Sequence, residues 1–138
     1  MRGLHLLIEL ARRTTDEQRG NLGQICSAKT DAEMALALHE ERIAAESRIA
    51  TNDPAVMAAL GAWSNNALRV RAQLRARQAE LDRSEAAARD ALRMAFADLK
   101  RLEMARDSAA RQQRTIAMRR ADNQADERYA SARTFAFL

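Results

Sequence analysis

Every seventh residue from Leu60 to Ile116 is apolar: Leu60, Ala67, Leu74, Leu81, Ala88, Ala95, Leu102, Ala109 and Ile116. A repeat of seven marks a helix that keeps one seam turned toward a partner, because under-winding to 3.5 residues per turn brings the same face back every two turns. The alternate positions are mixed, with Trp63 and Val70 at one end and, after an offset of one, Leu92 and Leu99. From Leu92 to Arg133 there is neither Gly nor Pro, so this stretch reads as one uninterrupted helix. Beyond Ala105 its apolar content thins to Ala109, Ile116 and Met118 among charges.

The chain supplies its own partner for that seam. Alternating steps of four and three run through Leu4, Ile8, Ala11, Thr15, Gln18, Leu22, Ile25, Lys29, Ala32, Leu36, His39, Ile43, Glu46 and Ala50. Thr15, Gln18, Lys29, His39 and Glu46 are polar, so this seam is expected to be weak and to open easily. Gly20 and Gly23 fall inside the helix, each costing about 1 kcal/mol relative to Ala. Gly23 marks either a close approach of two backbones or a hinge. Thr51-Asn52-Asp53-Pro54 is the break between the helices: Asn52 or Asp53 can cap a helix start, and Pro54 suits the first helical position.

A connection this short turns two long helices antiparallel. The expected fold is all-α, an antiparallel two-helix coiled-coil hairpin whose second helix is longer and overhangs at its C-terminus. It is a single domain over 1–138, with a first helix at about 4–50, a turn at 51–53 and a second helix at about 54–135. Gly61 allows a bend near the start of the second helix. Position i then faces roughly 105 − i, so Leu4 lies opposite about residue 101. The remainder projects about 50 Å as a lone helix, which is marginal in water. On exposed faces, Glu85 with Arg89 and Asp107 with Arg111 are spaced to pair at i and i+4.

Composition agrees with that architecture. Aromatics are 4% of 138 residues and much of the apolar content is Ala, too little bulky side chain for an ordinary globular core. The net charge of +4 is unevenly spread, −2 up to Asp53 and +6 from Pro54 onward. Chemistry is scarce. His5 and His39 have no metal spacing, Cys26 is the only cysteine and lacks a His and acid partner set, and there is no glycine-rich phosphate loop. The chain is therefore read as a non-enzyme without cofactor or metal, in which any ATP hydrolysis belongs to a partner. No stretch reaches the roughly twenty apolar residues of a membrane span. The opening Met-Arg-Gly-Leu-His-Leu-Leu-Ile-Glu-Leu is interrupted by His5 and Glu9 and followed by Arg12-Arg13, so it reads as a helix start and not as a secretion signal. A lone cysteine fits a reducing cytosol.

Lys100-Arg101-Leu102-Glu103, then Arg119-Arg120, then Asp126-Glu127 followed by Ala130 and Arg133, resemble the C-terminal signature of the FliJ family of flagellar export proteins. Leu7, Leu10, Ala11, Asp16, Leu22 and Gly23 resemble that family's opening, and Trp63 stands where its members tend to carry an aromatic early in the second helix. Ala121-Asp122-Asn123 departs from the family's more usual acid, amide and lysine. The resemblance implies a coiled-coil component of the bacterial flagellar type III export apparatus, cytoplasmic and peripheral to the inner membrane. It implies association with the hexameric export ATPase FliI, the export gate protein FlhA and export chaperones. Carried onto this chain, Leu4, Leu7, Ile8, Ala11, Arg119, Arg120, Asp126, Glu127, Arg128 and Arg133 are the expected contacts to the ATPase ring. Trp63, Ala67, Val70 and Leu74 are the expected gate-facing surface.

Two other readings stand beside it. The basic second part suggests nucleic-acid binding, although acids are interspersed and no aromatic stacking surface accompanies the arginines. The unpaired stripe suggests a structural coiled coil that self-associates.

Overall fold

The computed structural model describes residues 2–48 and 53–136. Two helices, α1 (Arg2–Ser47) and α2 (Pro54–Ala136), form a helical hairpin in which α2 is much the longer. The expected turn at Thr51 and Asn52, and the last residues expected in α1, Ile49 and Ala50, lie outside the described residues. At the start of α2 the Asp53 carboxylate accepts from the Ala55 amide at 3.0 Å, and the Asp53 carbonyl accepts from the Met57 amide at 3.0 Å. Asp53 is thus the N-cap and Pro54 the first helical residue, where a missing amide donor costs nothing. Gly61 makes no break, and α2 runs through it without interruption.

The chain divides into two compact units, one of residues 14–95 and the other of 1–13 with 96–138. In the first, the seam read from the sequence is the buried face. Ala32, Ala67, Leu81, Ala88 and Ala95 are buried, as is Thr15 at 2% exposure, while Gln18, Leu22, Ile25, Lys29, Leu36, His39 and Ile43 are half-buried. Glu46 is exposed. In α2 the partly or fully buried positions step Ala67, Val70, Leu74, Gln78, Leu81, Glu85, Ala88 and Leu92. Two steps of four meet at Leu74, which is the offset noticed in the alternate set and the way a seven-residue seam absorbs a local change of winding.

Two of the polar seam residues, His39 and Lys29, are answered across the hairpin. His39 Nε2 lies 2.9 Å from the Ala67 carbonyl; a carbonyl only accepts, so this nitrogen donates. Lys29 Nζ contacts Asp82 at 3.0 Å and Glu85 at 3.1 Å, and Glu85 is held in turn by Arg89 at 2.8 Å. The hydrogen bonds that Lys29 donates, first to Asp82 and then to Glu85, raise its pKa above the ordinary 10.5. Glu40 contacts Arg71 at 3.1 Å and Arg75 at 3.8 Å.

Register follows from the same contacts. Residue numbers add to 106 at the short His39 to Ala67 contact, close to the expected 105. At the ion pairs of Lys29 and Glu40 they add to between 111 and 115. Helical side chains lean toward their own N-terminus. In an antiparallel pair both leans move the meeting point the same way, so long side chains meet at residue numbers larger than the backbone register gives.

The second unit holds the first turns of α1 against α2. Ile8 is fully buried, Leu99 is buried, and Leu4, Ala11, Phe96, Leu102, Arg106, Ala109 and Ala110 are half-buried. Arg12 contacts Glu103 at 3.8 Å. Burial ends at Ala110, and every described residue from Arg111 to Ala136 is exposed. The overhang therefore begins about nine residues later than the register alone predicts and spans about 40 Å. The cause is the same lean, which carries the first side chains of α1 up along α2.

Candidate interaction surface

The overhang concentrates unmatched charge. From Arg111 to Ala121 there are four arginines, Arg111, Arg114, Arg119 and Arg120, and no acid. From Asp122 to Glu127 there are three acids and no base. Along the rest of α2, charges are matched at short spacing, as in Arg77 with Glu80, Arg93 with Asp90, Lys100 with Glu103 and Arg101 with Asp98. Asp107 takes the neighbouring Arg106 at 3.3 Å in place of the expected Arg111. Of the expected ring contacts, Arg119, Arg120, Asp126, Glu127, Arg128 and Arg133 all lie on the overhang. None of them makes an ion pair among the described residues. A helix whose charges are unanswered over this length offers many weak, salt-sensitive contacts to something else.

The expected contacts on α1 separate into two sets. Leu4 and Ala11 are half-buried and Ile8 is 0% exposed, so Ile8 has no surface left to offer a partner while the hairpin is closed. Its seam spacing, which made it a candidate, is what buries it. Leu7 is 52% exposed and is joined by Leu6 at 60% and Leu10 at 55%. The expected contacts include Leu7 but neither Leu6 nor Leu10. The i, i+3 and i+4 relation of Gly3, Leu6, Leu7 and Leu10, out of phase with Leu4 and Ile8, is the signal that identifies them. Arg2, Leu4, His5, Leu6 and Arg106 line a shallow, mostly apolar groove at this end.

In the other unit, the expected gate-facing residues are mainly interior. Ala67 is buried, and Trp63, Val70 and Leu74 are half-buried in the seam. Trp63 lines one shallow groove with His39, Ile43 and Ala67 and another with Val56, Ala59 and Leu60. The large apolar side chains that do face outward here are Met34, Leu38, Met57, Leu68 and Met94. Met34 and Leu38, one helical turn apart, line a groove with Ala35, Ala37 and Glu41.

Cys26 is a free, half-buried thiol whose carbonyl accepts from Thr30 Oγ1 at 3.1 Å. Among the described residues no group of three His, Cys, Asp or Glu side chains could hold a metal ion, and no helix is long and apolar enough to cross a membrane. Compared with protein families, with curated proteins and with solved structures, the chain gives no match.

Proposed function

We propose that the chain is a non-enzymatic helical hairpin that serves a bacterial flagellar type III export apparatus. In this reading the overhang of α2, with Leu6, Leu7 and Leu10 of α1, engages the ring of the export ATPase FliI. The half-buried Trp63 contacts the export gate protein FlhA, and export chaperones dock on the same hairpin. The reading is carried by one observation beyond the family resemblance: about 40 Å of α2, from Arg111 to Ala136, is a fully exposed helix with unanswered charges. A lone helix of this kind is marginal in water, and a ring with a charged lining would hold it through many reversible contacts.

The test compares ATP hydrolysis by the cognate export ATPase with the full chain added, and with a chain cut after Ala110. The boundary of burial makes this the cut that removes the overhang and leaves the hairpin whole. Stimulation by the full chain alone supports the reading. Absence of binding and stimulation by both defeats it.

The acid-free stretch from Arg111 to Arg120, with its four arginines, favours a second reading, binding to the phosphate backbone of a nucleic acid. Affinity for a random duplex that falls steeply between low and moderate salt, with a slope set by these four arginines, supports that alternative.

A further inference from the structure

Between Asp107 and Asp122 the sequence holds four arginines, Arg111, Arg114, Arg119 and Arg120, and no acid. Asp107 is taken by Arg106 at 3.3 Å, and none of the four makes an ion pair among the described residues. What sets them apart is where they stand around the helix. At about 100° per residue, with Arg111 at zero, Arg119 stands at about 80°, Arg120 at about 180° and Arg114 at about 300°. No direction from the axis is then more than about 60° from an arginine. The acids that follow, Asp122, Asp126 and Glu127, instead fall within about 140° of one another, on one side. All these residues are exposed, since burial against α1 ends at Ala110.

We infer that Arg111–Arg120 is a cationic collar for an enclosing protein surface that presents carboxylates on every side of the helix. Resting on the reading that the overhang enters the ATPase ring, the collar gives that ring's lining its chemistry at this level. Four like charges within about 14 Å of helix repel one another in the free chain, and carboxylates set around them remove that cost. A flat acidic surface reaches only the arginines on its own side. A duplex that takes a helix into its major groove leaves the outward side of that helix uncovered, so at least one arginine would stand idle. Between Arg114 and Arg119 the chain is Thr115-Ile116-Ala117-Met118, with no charge to oppose such a lining.

The experiment measures binding of the full chain to the hexamer of the cognate export ATPase, for Arg111→Gln, Arg114→Gln, Arg119→Gln and Arg120→Gln. Gln is close to Arg in helix propensity and removes the charge. Each variant is expected to bind about two- to fivefold more weakly, all by a similar factor, and the difference shrinks at high salt. All four positions lie on exposed helix, and unchanged far-ultraviolet circular dichroism confirms that the hairpin is retained.

Enclosure is read separately, in a Cys26→Ser background. Gln112→Cys, Gln113→Cys, Ala117→Cys and Met118→Cys spread single thiols around the helix, at about 100°, 200°, 240° and 340°. The hexamer is expected to slow maleimide labelling of all four. A hexamer that binds the parent chain but protects thiols on one side only, or is indifferent to Arg120→Gln, overturns the collar and leaves the ring reading standing. A parent chain that does not bind the hexamer overturns both. One-sided protection by a random DNA duplex, with none by the hexamer, assigns the arginines to phosphate and overturns the collar as well.

Discussion

Residues 14–95 and the overhang Arg111–Ala136 are built from the same few residue types, Ala, Arg and acids, yet they differ in whether polar side chains are answered. In the first, Lys29, His39 and Glu40 each reach across to the opposite helix. In the second, four arginines precede three acids and none has an ion-pair partner among the described residues. The difference is not helicity, since α2 is helical through both. It lies in the seven-residue positions. Where Leu and small Ala alternate there, two backbones approach and flanking charges find partners; in the overhang Ile116 is left among Gln113, Arg120 and Glu127, and α1 does not cover it.

The comparison can be broken at equivalent heptad positions. Leu81, 5% exposed, and Ile116, 49% exposed, belong to the same series. Leu81→Ala is expected to destabilise the hairpin by about 3 kcal/mol, and Ile116→Ala to stay within about 0.5 kcal/mol, in chemical denaturation. Equal losses would mean that Ile116 is buried in solution.

A smaller gain is expected inside α1. A Cβ added at Gly20 or Gly23 meets nothing within 4 Å, and neither glycine has positive φ. Gly20→Ala and Gly23→Ala should each stabilise the hairpin by about 1 kcal/mol, read as a higher melting temperature. The close-approach explanation for Gly23 is excluded by the same open space.

The smallest effect concerns pH. Folding raises the Lys29 pKa above 10.5, so the folded chain holds this proton more tightly than the unfolded one. Its contribution is complete below pH 10.5 and fades as pH rises through the higher folded value. Thermal melts from pH 9 upward should therefore show a loss at the alkaline end that Lys29→Met removes. An unchanged profile in that variant would assign the loss to other groups.

Much of the fold was legible because it rests on periodicity. The two helices, the residues sharing the seam, a cap at Asn52 or Asp53 and the approximate register all follow from spacing. Three features were not legible, each for a physical reason. Side-chain lean shifts long ion pairs by several residues, so neither the partners of Lys29 nor the end of burial at Ala110 can be read from backbone register. Polar seam residues look weak in a one-dimensional pattern, since their partners sit on the other helix. Leu6 and Leu10 face outward because they are out of phase with the seam, while Ile8, expected at the ring, is enclosed by the hairpin itself.

The end of burial at Ala110 also sets how the chain can change in length. An insertion or deletion between Thr14 and Ala95 shifts every later rung on one rail of a ladder, and must be matched on the other rail or it separates His39 from Ala67 and Lys29 from its two acids. Beyond Ala110 no rung exists to misalign. Reach can therefore lengthen or shorten there by single turns, and ladder and pole can diverge at different rates.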